Sequence, residues 1–398
     1  MAVAKMAVLR PLGQFLLLGV MLASPLFLSA QSDTPPPTGD PPENQSWWKA
    51  ITFNGYVSFS DTHNTNDPVP PLNQFRVFDF NDDDPEVDAA QLVVQHGVSH
   101  DAGRIGFRLN LIAGSTVPET TAAYGMHLAR DFDIPEVYVS YLAPLGKGVH
   151  LDAGKFVTPF GYEVIGGYDG YNDNFSRGFI FGYGLPFTHT GLKASYWFSS
   201  RISAAAFLTN ACDAVARLNG GVTGIGQLSA ATSKTTNLTF TFLHGPNKPR
   251  NGYDQSSLYE FVASWKPLPK LTGAFDGLYA DEDHAAPNGS DAIWKGIAGY
   301  SKYSFTHAFS LAFRGEVFAD IGGSRTGTSQ TLRGFTLTPE YVFAAKASRV
   351  RHELRRFDGK FVVRLEVRED FSDQNTFRRG TGFTGHQFTT AGNVIYLF

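Results

Sequence analysis

Apolar and polar residues alternate with period two over long stretches of this 398-residue chain, a pattern that gives a strand one greasy face and one polar face. Ile51, Phe53, Gly55, Val57 and Phe59 alternate with Thr52, Asn54, Tyr56 and Ser58, and Ile105, Phe107, Leu109 and Leu111 alternate with Arg104, Gly106, Arg108 and Asn110. The final stretch behaves the same way: Phe388, Thr390, Gly392, Val394, Tyr396 and Phe398 share one face and Asn393 lies on the other. Such strands fit any half-buried antiparallel sheet, so the mid-strand polar residues must decide between architectures. Arg108 and Lys193 each interrupt an apolar run. Facing lipid near the midplane, such a charge costs about 2–4 kcal/mol, so in a membrane barrel both must point into the lumen.

Two further strands carry a repeated charged face. Arg314, Glu316 and Asp320 recur at the same intervals as Arg364, Glu366 and Asp370, with Arg368 added in the second set. Because every interval is even, each set projects from one side, while Phe313, Val317, Val363, Leu365 and Val367 project from the other. With Arg104 and Arg108 these positions are expected to line a wet lumen with alternating signs. The same spacing also fits a solvated face on a soluble sheet. A catalytic carboxylate pair fits poorly, because arginine partners keep acids ionised.

The segments between strands alternate in length. Short connections are read at 99–103, 144–148, 199–201, 267–270 and 304–307, and longer polar ones at 61–86, 115–133, 158–185, 210–222, 246–255, 281–291, 320–330 and 371–385. Short turns on one side and long loops on the other are the habit of transmembrane barrels. Eight hairpins, or about sixteen strands, follow. The basic segment 344–360 is read as an enlarged turn, although a further hairpin there would give about eighteen strands. Aromatics gather beside the short turns (Tyr141, Trp197, Phe198, Trp265, Tyr303, Phe305, Tyr341, Phe343), as an interfacial girdle requires.

Composition supports a strand-rich membrane protein. Aromatic residues make up 14% and charged residues only 18%, with 34 Phe, 16 Tyr and 41 Gly. That mixture favours strands and tight turns over helices. Residues 1–30 have a basic start (Lys5, Arg10), an apolar core and small residues at Ser29 and Ala30, which reads as a signal peptide. Residues 31–48 are Pro-rich and polar, an extended linker, and 49–398 form the barrel unit. No later stretch is long and apolar enough for a membrane helix, so a membrane protein of this sequence must be a closed barrel. The net charge of −4 carries no basic bias, which argues against nucleic acid as a partner. A lone cysteine, Cys212, excludes an intramolecular disulfide framework.

The segments G-K-F-V-T-P-F-G-Y-E from Gly154, N-F-S-R from Asn174 and P-F-T-H-T-G from Pro186 carry a family resemblance. So do L-A-F-R-G-E-V-F-A-D from Leu311, G-F-T-L-T-P-E-Y from Gly334 and V-R-L-E-V-R-E-D from Val363. In these the chain resembles the outer-membrane β-barrel porins called porin-2 or OmpL-like. The resemblance implies an all-β, antiparallel up-and-down transmembrane barrel in a Gram-negative-type outer membrane. It implies a channel without naming the solute; outer-membrane lipids are the expected surroundings, and a homotrimer is one assembly open to it. The ending on Tyr396 and Phe398 resembles that of outer-membrane barrels, whose terminal aromatic is read by the assembly machinery.

The stretch 158–185 is too aromatic to float in water and is expected to fold inward and narrow the pore. Lys155, Glu163, Asp169, Asp173, Arg177 and Lys193 are then candidates for a constriction of mixed sign. The leading expectation is a channel for passive diffusion of small hydrophilic solutes or ions. A barrel lipid hydrolase and a secreted carbohydrate-binding β-sandwich are the alternatives. No nucleophile motif, phosphate loop or zinc spacing supports an enzyme, and no metal or cofactor is expected.

Overall fold

In a computed structural model, the structure describes residues 47–99, 103–166, 172–345 and 359–398. The expected signal peptide and residues 31–46 of the linker lie outside them. Trp47–Ala50 forms a single 3-10 turn before the wall begins, and the Trp47 ring stacks on His96 at 4.6 Å.

The wall starts with β1 (Thr52–Asn64), β2 (Glu86–His96), β3 (Ile105–Ala113), β4 (Phe132–Ala143), β5 (Val149–Val157) and β6 (Thr188–Trp197). It continues with β7 (Ile202–Thr209), β8 (Thr223–Ser233), β9 (Thr236–Gly245), β10 (Ser256–Leu268), β11 (Leu271–Glu282) and β12 (Ala292–Ser304). β13 (Phe309–Asp320), β14 (Gln330–Ala345) and β15 (Gly359–Ser372) follow, and β16 (Phe377–Arg379) and β17 (Gly382–Thr384) make a small hairpin outside the wall. β18 (His386–Leu397) then pairs with both β15 and β1, so sixteen antiparallel strands close without an edge. Closure runs to the last residue: Phe398 N–H donates to the Gly55 carbonyl at 3.0 Å, and Gly55 N–H donates to that of Phe398.

Period two governs what each strand shows. On β13, Phe313 and Val317 are exposed while Arg314, Glu316 and Phe318 are buried; on β15, Leu365 and Val367 face out while Arg364, Glu366 and Arg368 face in. Leucine on the outside and arginine on the inside inverts a soluble sandwich and suits a lipid surrounding. β14 and β15 pair directly with each other, so the closed wall has sixteen strands and not eighteen; segment 346–358 lies outside the described residues. One short turn, between Ser233 and Thr236, escapes the sequence reading because Thr-Ser-Lys-Thr-Thr carries no Gly or Pro.

Long loops leave one end: L1 (65–85), L2 (114–131), L3 (158–187), L4 (210–222), L5 (246–255), L6 (283–291), L7 (321–329) and L8 (373–385, carrying β16 and β17). At the opposite end aromatic pairs ring the wall, among them Tyr303 with Phe305 at 4.9 Å and Phe361 with Tyr396 at 4.8 Å. L2 contains the helix α1 (Val117–Tyr124), with Tyr124 buried.

Candidate pore constriction

L3 enters the lumen and docks on the far wall. Gly161 N–H donates to Glu260 of β10 at 2.8 Å and Tyr162 N–H to Asp276 of β11 at 3.2 Å, while the Tyr162 ring lies 4.5 Å from that of Tyr300 on β12. Gly161 has a positive φ of 97°, a backbone state that favours glycine, and this lets the chain turn in toward the two acids. Further along, Phe175 N–H and Ser176 N–H donate to the Glu366 carboxylate at 2.6 and 3.0 Å, and Phe179 N–H donates to Glu316 at 2.6 Å. A short helical turn, Ile180–Gly184, ends under Trp294, whose indole N–H donates to the Gly184 carbonyl at 3.0 Å. Phe179, Ile180, Phe181 and Leu185 are buried against Leu278, Trp294, Phe318 and Leu332 of the wall. Burial of such side chains favours the inward position by about 1.5–3 kcal/mol each.

The repeated charged face is the anchor for this loop. Arg314 donates to Glu163 at 2.7 Å and to the Ser176 carbonyl at 2.6 Å; Arg364 donates to the Asn172 carbonyl at 2.7 Å; Arg368 donates to the Arg177 carbonyl at 2.6 Å. These loop carbonyls and amides thus meet charged partners, which offsets their desolvation. Arg314, Glu316, Arg364, Glu366, Arg368 and Asp370 face inward as their spacing requires, yet they lie buried under L3 and L1, and of the six only Arg364 borders a cavity. This corrects the expectation of a wet, charge-striped lumen along these two strands. Asp320 departs further: its carboxylate accepts N–H bonds from Ser324, Arg325 and Thr326 and holds the turn of L7. Arg108 pairs with Glu136 at 2.9 Å on the inner wall, and Arg104 donates to the Leu142 carbonyl at 3.2 Å.

Of the six charges proposed for a constriction, the five described ones do not face one another. Glu163 meets Arg314, and Asp173 meets Lys302 at 2.9 Å, because L3 crosses to β12 and β13. Lys155 stays behind on β5 and donates to the Ile134 carbonyl at 3.0 Å, and Lys193 on β6 lies 3.7 Å from Asp152. Asp169 lies outside the described residues. Arg177 donates to the carbonyls of Phe175 at 2.8 Å and Ile165, and its guanidinium lies 4.8 Å over the Phe78 ring.

L1 also folds inward, which the sequence reading missed. Arg76, buried, bridges Asp79 at 2.6 Å and Asp370 at 2.8 Å. Phe75 packs edge-on against Tyr183 of L3 and Phe377 of L8, and Phe78 lies near Phe181 and Phe187. The aromatic density that marks L3 was present in L1 too, as Phe75, Phe78 and Phe80 around Arg76.

Against β1, β2, β3, β15 and β18 the filling is incomplete. A cavity of about 50 Å³ remains there, with Tyr56, Ser58, Asp88, Arg177 and Arg364 on its polar lining and Ile112, Ile165, Phe175, Ile395 and Leu397 on its apolar one. At roughly 10–15 Å³ of such space per water, it holds a few waters. Asp88 is fixed by Ser58 at 2.6 Å and by Ser60.

A closed sixteen-strand barrel, apolar outside, with long loops at one end and one of them folded across the lumen, defines the outer-membrane porin channels. The chain belongs to the beta-barrel porin-2, OmpL-like family, whose sequence model matches residues 50–398. Solved structures agree on the fold. The outer membrane channel DcaP of Acinetobacter baumannii superposes with a TM-score of 0.55 at 8% identity, covering 87% of this chain and 97% of that one. An anion-selective porin from Comamonas acidovorans gives 0.55 at 8% identity, over 87% and 99%. The trimer form of OmpT from Vibrio cholerae gives 0.52 at 11% identity, over 87% and 99%. Among curated protein sequences none matches this chain.

Proposed function

We propose that this porin passes small hydrophilic solutes by passive diffusion, and that the route runs between L3 and the wall of β1–β3 and β18. The observation that carries this reading is the one-sided anchoring of L3: its main chain is held from β10 to β15, and the cavity opens where that clamp ends, between Arg364 of β15 and the wall of β1–β3 and β18. A waist that small excludes bulky solutes and lets single hydrated ions or very small molecules through one at a time. Removal of residues 1–30, a tether at 31–48, docking of the terminal Tyr396 and Phe398 with the assembly machinery, residence among Gram-negative outer-membrane lipids and trimer formation belong to the same reading. The trimeric form of a structural neighbour supports the last of these.

Purified full-length protein in planar bilayers tests it. Stepwise conductance of small amplitude is expected, with sugars excluded in liposome swelling and small amino acids admitted. Folded, inserted protein without conductance steps would overturn the proposal.

A further inference from the structure

Among the described residues, the lining of the cavity beside L3 carries more positive than negative groups, together with apolar side chains. Its described lining holds two guanidinium groups, Arg177 and Arg364, and one carboxylate, Asp88. Both guanidiniums lie over aromatic rings, Arg177 over Phe78 at 4.8 Å and Arg364 over Phe175 at 5.8 Å. The described acceptors of Arg177 are all main-chain carbonyls, of Val164, Ile165 and Phe175, which orient it without cancelling its charge. Asp88 already takes the hydroxyls of Ser58 and Ser60 and is turned to the wall. Hydrocarbon from Ile112, Ile395 and Leu397 completes the lining, with Ile395 on β18, the strand that pairs with that of Arg364.

From this we infer that the waist is a binding site for a short-chain monocarboxylate, a deepening that rests on the diffusion route above. The carboxylate takes the remaining N–H of Arg177 Nη1 and of Nη2, those not spent on the loop carbonyls, and the hydrocarbon tail lies on the isoleucine and leucine side chains. Inorganic phosphate shares the anionic head and lacks the tail. The small cavity limits the tail to a few carbons. Such a site concentrates the solute at the narrowest point and slows other anions while occupied.

The experiment uses full-length protein in planar bilayers carrying chloride current, with butyrate and then phosphate added, and calorimetric titration of butyrate into the same protein in detergent. Butyrate is expected to reduce the chloride current saturably, and phosphate far less. Arg177→Gln should weaken the butyrate block by roughly tenfold or more, as loss of a charge-assisted hydrogen bond does. Arg177→Lys, which keeps the charge and loses the fork, should fall between. Arg378→Gln, an equal loss of charge on exposed L8, should leave the block unchanged. Equal block by phosphate and butyrate, or an unaltered block in Arg177→Gln with the barrel intact by its heat-dependent gel shift, overturns the inference. Conductance without block or calorimetric binding removes the site and keeps the channel; binding without conductance removes the channel and keeps the site.

Discussion

The two sides of the lumen use the same inward-facing alternation for opposite ends. On β10–β15 the polar residues hold loop main chain: Glu366 and Glu316 accept its amides, Arg314 and Arg368 donate to its carbonyls, and the surroundings are dry. On the side of β1–β3 and β18, Asp88 is held by neighbouring serines, Gln387 of β18 clamps the main chain of L1 at Gln74 instead of that of L3, and a cavity remains. Period two thus decides which way a residue faces, and the loop that lands on it decides whether it sees water.

The contrast breaks most completely if the dry side loses a charge. Arg314→Ala leaves Glu163 buried without its arginine partner and Glu316 with Arg368 alone. Breaking such a network costs about 3–5 kcal/mol. L3 should detach, the thermal midpoint should fall, and single-channel conductance should rise and become noisy; an unchanged conductance would show that L3 does not obstruct the route. Arg76→Ala acts on L1 alone, because Asp370 keeps Arg368 at 2.8 Å. A loss of about 1.5–3 kcal/mol is expected, with a smaller rise in conductance. Gly178→Ala would place a Cβ 2.6 Å from a Glu316 oxygen and 2.9 Å from one of Glu163. The crowding should cost about 1–3 kcal/mol, seen as a lower unfolding midpoint.

The smallest effect concerns pH. Asp213 in L4 accepts the Phe187 and Thr188 amides at 2.8 and 2.7 Å, and burial pushes its carboxyl up to about 6. An unfolded aspartate titrates near about 4, so between the two values the folded loop binds more protons. Its stability is therefore greatest below about pH 4 and declines as pH rises to about 6. Hydrogen exchange at Phe187 and Thr188, corrected for intrinsic rates, should quicken across that window, and Asp213→Asn should flatten the change. Equal pH dependence in both proteins would remove Asp213 as its cause.

Much of the architecture was legible because lipid and lumen impose period two on every strand. The eight long loops, the closing face of Phe388 to Phe398 and the inward turn of Arg108 and Arg314 all follow from it. The inward fold of L3 was legible for a different reason, since Phe175, Phe179 and Phe181 cannot stay in water. What remained hidden were partners across the barrel. Spacing tells that Arg314 and Glu316 share a face, while the meeting of Glu163 with Arg314 depends on where a thirty-residue loop lands. The cavity was hidden likewise, because Asp88, Arg177 and Arg364 come from β2, L3 and β15, three elements remote in sequence.

Thiol accessibility under current recording tests the one-sided route most directly. In a Cys212→Ser background, Ser58→Cys puts a thiol on the cavity and Ala298→Cys puts one in the dry core under L3. The account predicts that a small charged methanethiosulfonate reagent changes conductance in the first variant and leaves the second untouched. Rapid modification of Ala298→Cys with no effect on Ser58→Cys would place the route on the opposite side of L3 and contradict it.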